Sequence, residues 1–255
     1  MKYLALIQAR CDSSRLPNKV LLPIEGKTVI ERVIERVRKS KLVDEIMVIT
    51  SIENSNLPII EICAKNNIRV FTGSENDVLD RYYQAAKLLN LEYVIRITGD
   101  CPLFDGGLLD EAIMQIEPDT DYMGMMSETF ADGLDLEIIK FSALKKAWQE
   151  AKLQSQREHV TQYIIHNPEI FKLQDFKYDG INFGEKRWTL DEPEDYVFVT
   201  TIYRKLFDER KTEFSYIDVL GLLKREPELE EINNKFIRNE GLLKSLMEDK
   251  IMIID

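Results

Sequence analysis

The chain has 255 residues, 44% of them hydrophobic and 31% charged, with a formal net charge of −11. Such a composition supports a large core and excludes a disordered or collagen-like chain, and no apolar run approaches the ~18 residues of a membrane span. The acidic balance opposes a non-specific nucleic-acid binder, which needs a basic face for phosphate contacts. No nucleic-acid partner and no membrane span are therefore expected. Cys11, Cys63 and Cys101 show no CxxC spacing. Neither a zinc site nor a disulfide framework is expected, and a reducing, cytoplasmic location fits.

The apolar opening Met1–Ile7 is cut off at once by Gln8 and Arg10, so Tyr3–Ala9 reads as a buried strand and not as a signal peptide. A polar loop follows, from Arg10 to about Lys19. Val29, Ile30, Val33, Ile34 and Val37 recur at helical spacing between charges, which predicts a helix with one buried face. Glu45–Thr50 reads as the second strand, Ile59–Ala64 as a short helix and Ile68–Phe71 as the third strand. Val78, Leu79, Tyr82, Tyr83, Ala86 and Leu89 predict another amphipathic helix, and Tyr93–Thr98 a fourth strand. This alternation predicts a parallel, doubly wound α/β sheet with right-handed crossovers.

The second half is less regular. Leu134–Ile139 reads as a strand, Ala143–Ala151 and Glu158–Ile165 as helices, and Arg187–Leu190 as a short strand. Pro193 opens a helix running to about Phe207, and the chain from Tyr216 onward reads as helical and acidic. One domain over 1–255 is expected, with a small inserted lobe at roughly 125–185 and a helical tail at roughly 212–255.

Chemistry concentrates at two strand ends. The loop Gln8–Lys19 follows the first strand, and in an open parallel sheet ligands bind beyond the carboxyl ends of the strands. It places Arg10, Arg15 and Lys19 within ten residues of an acidic chain, with Ser13 and free N–H groups between them. Such loops cradle polyphosphate through N–H donors and charge-assisted bonds. It matches neither GxGxxG nor GxxxxGK[ST], which removes the best support for a dinucleotide oxidoreductase or a P-loop NTPase. Asp100 lies just past the fourth strand. Magnesium takes one or two carboxylates plus phosphate oxygens and water, and Asp191, in Arg187–Asp195, is the second candidate ligand. Glu194 and Asp195 read as acids at a helix start. Ser74, past the third strand, reads as a helix cap with acids in the first turn.

Six segments in order carry a resemblance: QARxxSxRLPxK (Gln8–Lys19), GSExDVLDR (Gly73–Arg81), RITGDCPL (Arg96–Leu103), DGLDxE (Asp132–Glu137), REHVTxYI (Arg157–Ile164) and RWTxDxPED (Arg187–Asp195). Together they resemble the cytidylyltransferase family that includes the CMP-acylneuraminate and CMP-Kdo synthetases, and within it the spore-coat polysaccharide biosynthesis branch. The resemblance covers about residues 3–205. It implies a Rossmann-like nucleotidyltransferase that transfers CMP from CTP to a sugar-like hydroxyl and releases pyrophosphate. Ala9, Arg10, Ser13, Arg15 and Lys19 would hold the triphosphate, and Ser74 and Arg81 would lie near the base. Asp100 and Asp191 would bind Mg2+. Arg10, Lys19 and Asp100 are the implied catalytic residues, and a homodimer is the implied assembly. Asn18 stands where the family's loop has Gly, and Asn tolerates left-handed backbone better than most residues. For the acceptor the candidates are Asp135 and Glu137, expected on one strand face, and Arg157 and His159, expected on a helix. The competing readings are a nucleotidyltransferase using GTP or a sugar phosphate, a nucleotide-sugar glycosyltransferase, and a non-catalytic scaffold. The DxD letters at Asp119-Thr120-Asp121 follow a helix and not a strand, which disfavours the glycosyltransferase.

Overall fold

A computed structural model of the chain describes residues 2–89, 91–177, 180, 182–210 and 213–250. The elements are β1 (Tyr3–Gln8), β2 (Pro23–Ile24), β3 (Lys27–Thr28), α1 (Val29–Val37), β4 (Glu45–Ser51), α2 (Leu57–Lys65), β5 (Arg69–Gly73), α3 (Val78–Leu89), β6 (Tyr93–Thr98) and α4 (Gly106–Gln115). They continue with β7 (Tyr122–Gly124), β8 (Glu137–Lys140), α5 (Phe141–Glu150), α6 (Gln154–Glu158), α7 (Gln162–Ile165), β9 (Leu173–Asp175), α8 (Pro193–Arg210), α9 (Tyr216–Arg225) and α10 (Glu240–Met247). The last expected helical stretch also covers residues 251–255, which lie outside the described residues.

Seven strands form one sheet in the order β5-β4-β1-β6-β8-β7-β9. β5, β4, β1 and β6 are mutually parallel, and β8 pairs antiparallel with both β6 and β7. β9 runs parallel to β7, so β8 alone opposes the common direction. The expected mostly parallel, Rossmann-like sheet is what forms. Both faces of β1 are buried, which is why its sequence reads as an unbroken apolar run. Tyr3, Ala5 and Ile7 join a core with α1, α2, α4, α8 and α9. Leu4 and Leu6 join the opposite core with α3, α5 and α7. From β1 the chain winds outward to β4 and β5, then returns to place β6 on the other side of β1. The strand order therefore reverses beside β1, where a crevice opens at the carboxyl ends of the strands.

Several expectations are corrected. Glu158–Ile165 is not one helix: α6 ends at Glu158, Val160 has φ 59, and α7 starts at Gln162. A β-branched residue in the left-handed region cannot continue a right-handed helix. The expected strand at Leu134–Ile139 begins only at Glu137, because Leu134 N closes a turn onto Ala131 O and the pairing with β6 and β7 reaches only to Glu137. Arg187–Leu190 forms no strand, only an isolated bridge between Asp132 and Arg187. The first turn of α3 is capped by Asp77, whose carboxylate accepts from Asp80 N at 2.9 Å, while Ser74 Oγ accepts from Asp77 N one turn earlier.

Candidate active site

The loop after β1 is fixed by its own backbone. Asn18 N and Ser13 N both donate to Cys11 O, at 3.0 and 2.9 Å, and Cys11 N donates to Asn56 Oδ1 at 2.8 Å. Asn18 sits at φ 57, ψ 23, as its tolerance of left-handed geometry allows. The turn it makes starts the short 3-10 helix Lys19–Leu21 and sends Lys19 inward. Asp12 accepts from Ser55 Oγ at 2.6 Å and does not line the cleft.

The second strand end is brought close by Gly99. Gly99 N donates to Gln8 O at 2.7 Å, and a Cβ there would stand 2.8 Å from the same oxygen. Asp100 follows directly. Leu190 N donates to Asp100 O at 2.9 Å, which places Asp191 beside it. Lys19 Nζ then donates to Asp100 Oδ2 and to Asp191 Oδ1, both at 2.5 Å. Burial penalises the charge on both Lys19 and Asp100. The ion pairs outweigh it, so the ammonium is held above its ordinary pKa and the Asp100 carboxyl below its own.

Arg187 and Asp195 fix the Asp191 segment. Arg187 Nε and Nη2 donate to the two Asp195 oxygens at 2.9 Å, and Asp195 also accepts from Asp191 N and Glu192 N at 2.9 Å. Asp195 is thus the acid at the start of α8 that its position suggests, and it is also buried and anchors the chain just before the helix. Asp132 lies against Arg187 at 3.2 Å, and burial together with Asp135 pushes its carboxyl up to about 7.

These pieces line a cleft of about 500 Å³. Of the residues expected at a site, Ala9, Arg10, Ser13, Arg15, Lys19, Asp100, Asp191 and His159 line it. Arg10 pairs with Glu75 at 3.0 Å, and Arg15 with Asp191, Glu192 and Glu240 at 3.0, 3.3 and 2.7 Å. His159 caps α6 instead of lying within a helix, and its Nε2 is 3.0 Å from Ser245 Oγ. Burial lowers its pKa from 6.5, so the ring is neutral at pH 7.

Five expected residues do not line the cleft. Arg157 is 1% exposed and binds Asp77 through Nε and Nη2 and Trp148 O through Nη1. It lies two residues from His159, and at that spacing along α6 and its cap the two side chains leave on different faces. Glu137 faces Arg96, Tyr122 Oη and Thr161 Oγ1 inside the sheet. Asp135 precedes β8 and pairs with Arg238 at 2.5 Å. Arg81 is fully buried; Nη1 donates to Ser74 O at 2.6 Å, while Nε and Nη2 have no partner. It therefore supports the Ser74–Glu75 turn from below, and Ser74 itself faces the turn. Sequence reasoning missed Arg96, Glu240 and Lys244, which do line the cleft. Arg96 stands inside the RITGDCPL segment and was legible there. The other two lie beyond every motif.

Among the described residues no group of three or more His, Cys, Asp or Glu is placed to hold a metal. Asp100 and Asp191 nevertheless converge on a single cation, the Lys19 ammonium. Two hard carboxylate oxygens so placed suit a divalent ion completed by phosphate and water. All three cysteines are free and buried, and no described helix is long and apolar enough to cross a membrane. A larger hollow of about 1020 Å³ lies between α1, α4, α8 and α9. Its Lys27 and Arg32 pair with Glu35, its Lys39 pairs with Glu213, and it holds none of the expected site residues.

Comparison with known proteins agrees with this geometry. The chain is 31% identical over 238 residues to spore coat polysaccharide biosynthesis protein SpsF of Bacillus subtilis, covering 88% of this chain and 95% of that one. A cytidylyltransferase structure from Leptospira borgpetersenii superposes with TM-score 0.85 and 34% identity, covering 94% of this chain and all of that one. The structure of CMP:2-keto-3-deoxy-manno-octonic acid synthetase complexed with CTP shares the fold at TM-score 0.61 and 18% identity, covering 80% and 99%. The cytidylyltransferase family profile matches residues 4–237. With the cation loop after β1, the paired strand-end carboxylates and this match along most of its length, the chain belongs to the cytidylyltransferase family and is a nucleotidyltransferase.

Proposed function

We propose that the chain transfers CMP from CTP to a hydroxyl of a sugar or sugar acid, with Mg2+ as cofactor and pyrophosphate as the leaving group, to activate a precursor for a surface polysaccharide. The observation that carries this reading is the convergence of Asp100 and Asp191 on Lys19 at the foot of a cleft whose rim is the cation-bearing loop. The named functions of the relatives support CTP as the donor and a sugar-like acceptor.

Nucleotidyl transfer needs charge neutralisation and in-line placement more than a protein nucleophile. The acceptor oxygen attacks the α-phosphorus, and the bond from that phosphorus to the bridging oxygen of the β-phosphate breaks. Arg10, Ser13 and Arg15 bind and orient the polyphosphate. Lys19 stabilises the charge gathering on the departing pyrophosphate. Asp100 and Asp191 would hold Mg2+, which supplies further charge neutralisation when bound. The Ser74–Glu75 turn, propped by Arg81, borders the base. His159, neutral at pH 7, is suited to accept a hydrogen bond from the acceptor hydroxyl. The same reading carries a cytoplasmic homodimer, which sedimentation velocity checks.

The test is thermal unfolding with CTP, GTP, ATP or UTP, with and without magnesium. A ligand at ~100 times its dissociation constant stabilises by ~2.7 kcal/mol. In a chain of this size that raises the midpoint by about 5–10 °C. CTP with magnesium is expected to give the shift, and Asp100→Asn to lose the magnesium-dependent part. A shift with GTP and none with CTP would replace the donor. No shift with any of the four would remove the polyphosphate assignment.

A further inference from the structure

The cleft has a wall that neither the sheet nor the family motifs supply. α10 turns Glu240, Gly241 and Lys244 toward it, positions that share one helix face. The helix buries no residue, and Leu243, Leu246 and Met247 are exposed. Its side-chain attachments to the α6 region are polar. Ser245 Oγ meets His159 Nε2 at 3.0 Å and Glu158 Oε2 at 3.3 Å. Just past the helix, the Asp249 carboxylate accepts from Ser155 N at 3.0 Å and from Ser155 Oγ at 2.6 Å. An element held by a few part-buried polar contacts and no buried apolar side chain opens at low cost.

Glu240 occupies a cation that the nucleotide reading assigns to polyphosphate. Its Oε2 lies 2.7 Å from Arg15 Nη1, while the other Arg15 nitrogens face Asp191 and Glu192. A polyphosphate that reaches Arg15 must exchange with these carboxylates. Glu240, its side chain 59% exposed and on the weakly held helix, is the one freest to leave. Lys244 lies one turn further on the same face, with no ion pair among the described residues.

We propose, resting on the nucleotide reading above, that α10 belongs to the polyphosphate site. Glu240 competes with polyphosphate for Arg15, and Lys244 binds the polyphosphate once that contact exchanges. α10 then acts as a hinged wall that exchanges an internal anion for a bound one.

Calorimetric titration of the full chain and of Glu240→Gln and Lys244→Ala tests this, with Mg-CTP, inorganic pyrophosphate and CMP as probes. An exposed ion pair is worth about two- to five-fold in binding. Glu240→Gln is therefore expected to tighten CTP and pyrophosphate by about that factor, and Lys244→Ala to weaken them comparably. Lys244→Arg retains the wild-type constant. The changes are smaller for CMP, and unfolding midpoints without ligand stay put. An unchanged constant in either variant, or equal changes for CMP and CTP, overturns the proposal. A wild-type chain that binds pyrophosphate but not CTP overturns the cytidine reading alone, and the comparison is then made on pyrophosphate. A chain that binds neither overturns both.

Discussion

Asp195 receives five N–H groups: two from Arg187, the backbone of Asp191 and Glu192, and the Asn233 side chain. Removing it leaves the Arg187 guanidinium buried and short of charge. Asp195→Ala is expected to cost about 3–5 kcal/mol, read by urea unfolding, the usual price of breaking a buried ion pair from one side. Nucleotidyl transfer falls with it, because Asp191 loses the anchor of its backbone. Asp132 behaves differently. Its carboxyl is pushed up to about 7 from an ordinary 3.8, so between those values the folded chain holds a proton that the unfolded chain gives up. That contribution to stability is complete below about pH 4 and is lost as the pH rises through 7. The stability of Asp132→Asn relative to wild type should therefore rise from pH 4.5 to pH 8, measured by denaturant titration at each pH. The opposite slope would reject the assigned ionisation. Sequence reasoning finds Asp100 and Asp191 because each ends a readable segment, but it cannot find their mutual distance. That distance depends on Leu190 N meeting Asp100 O across ninety residues of chain.

At the scale of elements, the loop from Arg10 to Lys19 stands on one left-handed residue. Replacing Asn18 by Gly removes the Cβ and leaves that conformation free, whereas Asn18→Ala keeps the Cβ and loses the short polar side chain that lets Asn adopt it, and is expected to cost about 1 kcal/mol in thermal or urea unfolding. Equal stability for the two variants would mean that φ at this position is not what sets the turn. The helices α1, α3 and α8 are legible because each buries a continuous stripe, and α1 adds a capping box of Thr28 and Glu31. α4 carries the same kind of signal, an Asp105 cap followed by Leu108, Leu109, Ala112 and Ile113, although the expected elements include no helix there. β7 and β9 carry no comparable signal. They have three residues each, and their pairing is decided by β8 and by each other. The break between α6 and α7 rests on Val160 at positive φ, a tertiary override of a sequence with good helical spacing.

Over the whole molecule, the four parallel strands and the ligand edge were legible because a doubly covered strand has a plain apolar signature. The antiparallel extension, the inward roles of Arg157 and Glu137, the pairing of Asp135 with Arg238, and the α10 wall were not, since each depends on which distant segment arrives beside it. The central position of β1 has a further consequence, for the timing of assembly on the ribosome. Tyr3 pairs with Tyr93, so this strand, apolar over all but its last residue, lies 90 residues upstream of one of its two neighbours. At a synthesis rate of about 5–20 residues per second, about 5–20 s separate the emergence of the two. During that interval one edge of β1 remains unfinished, and a chaperone that shields short apolar strands would find this chain in need of it early.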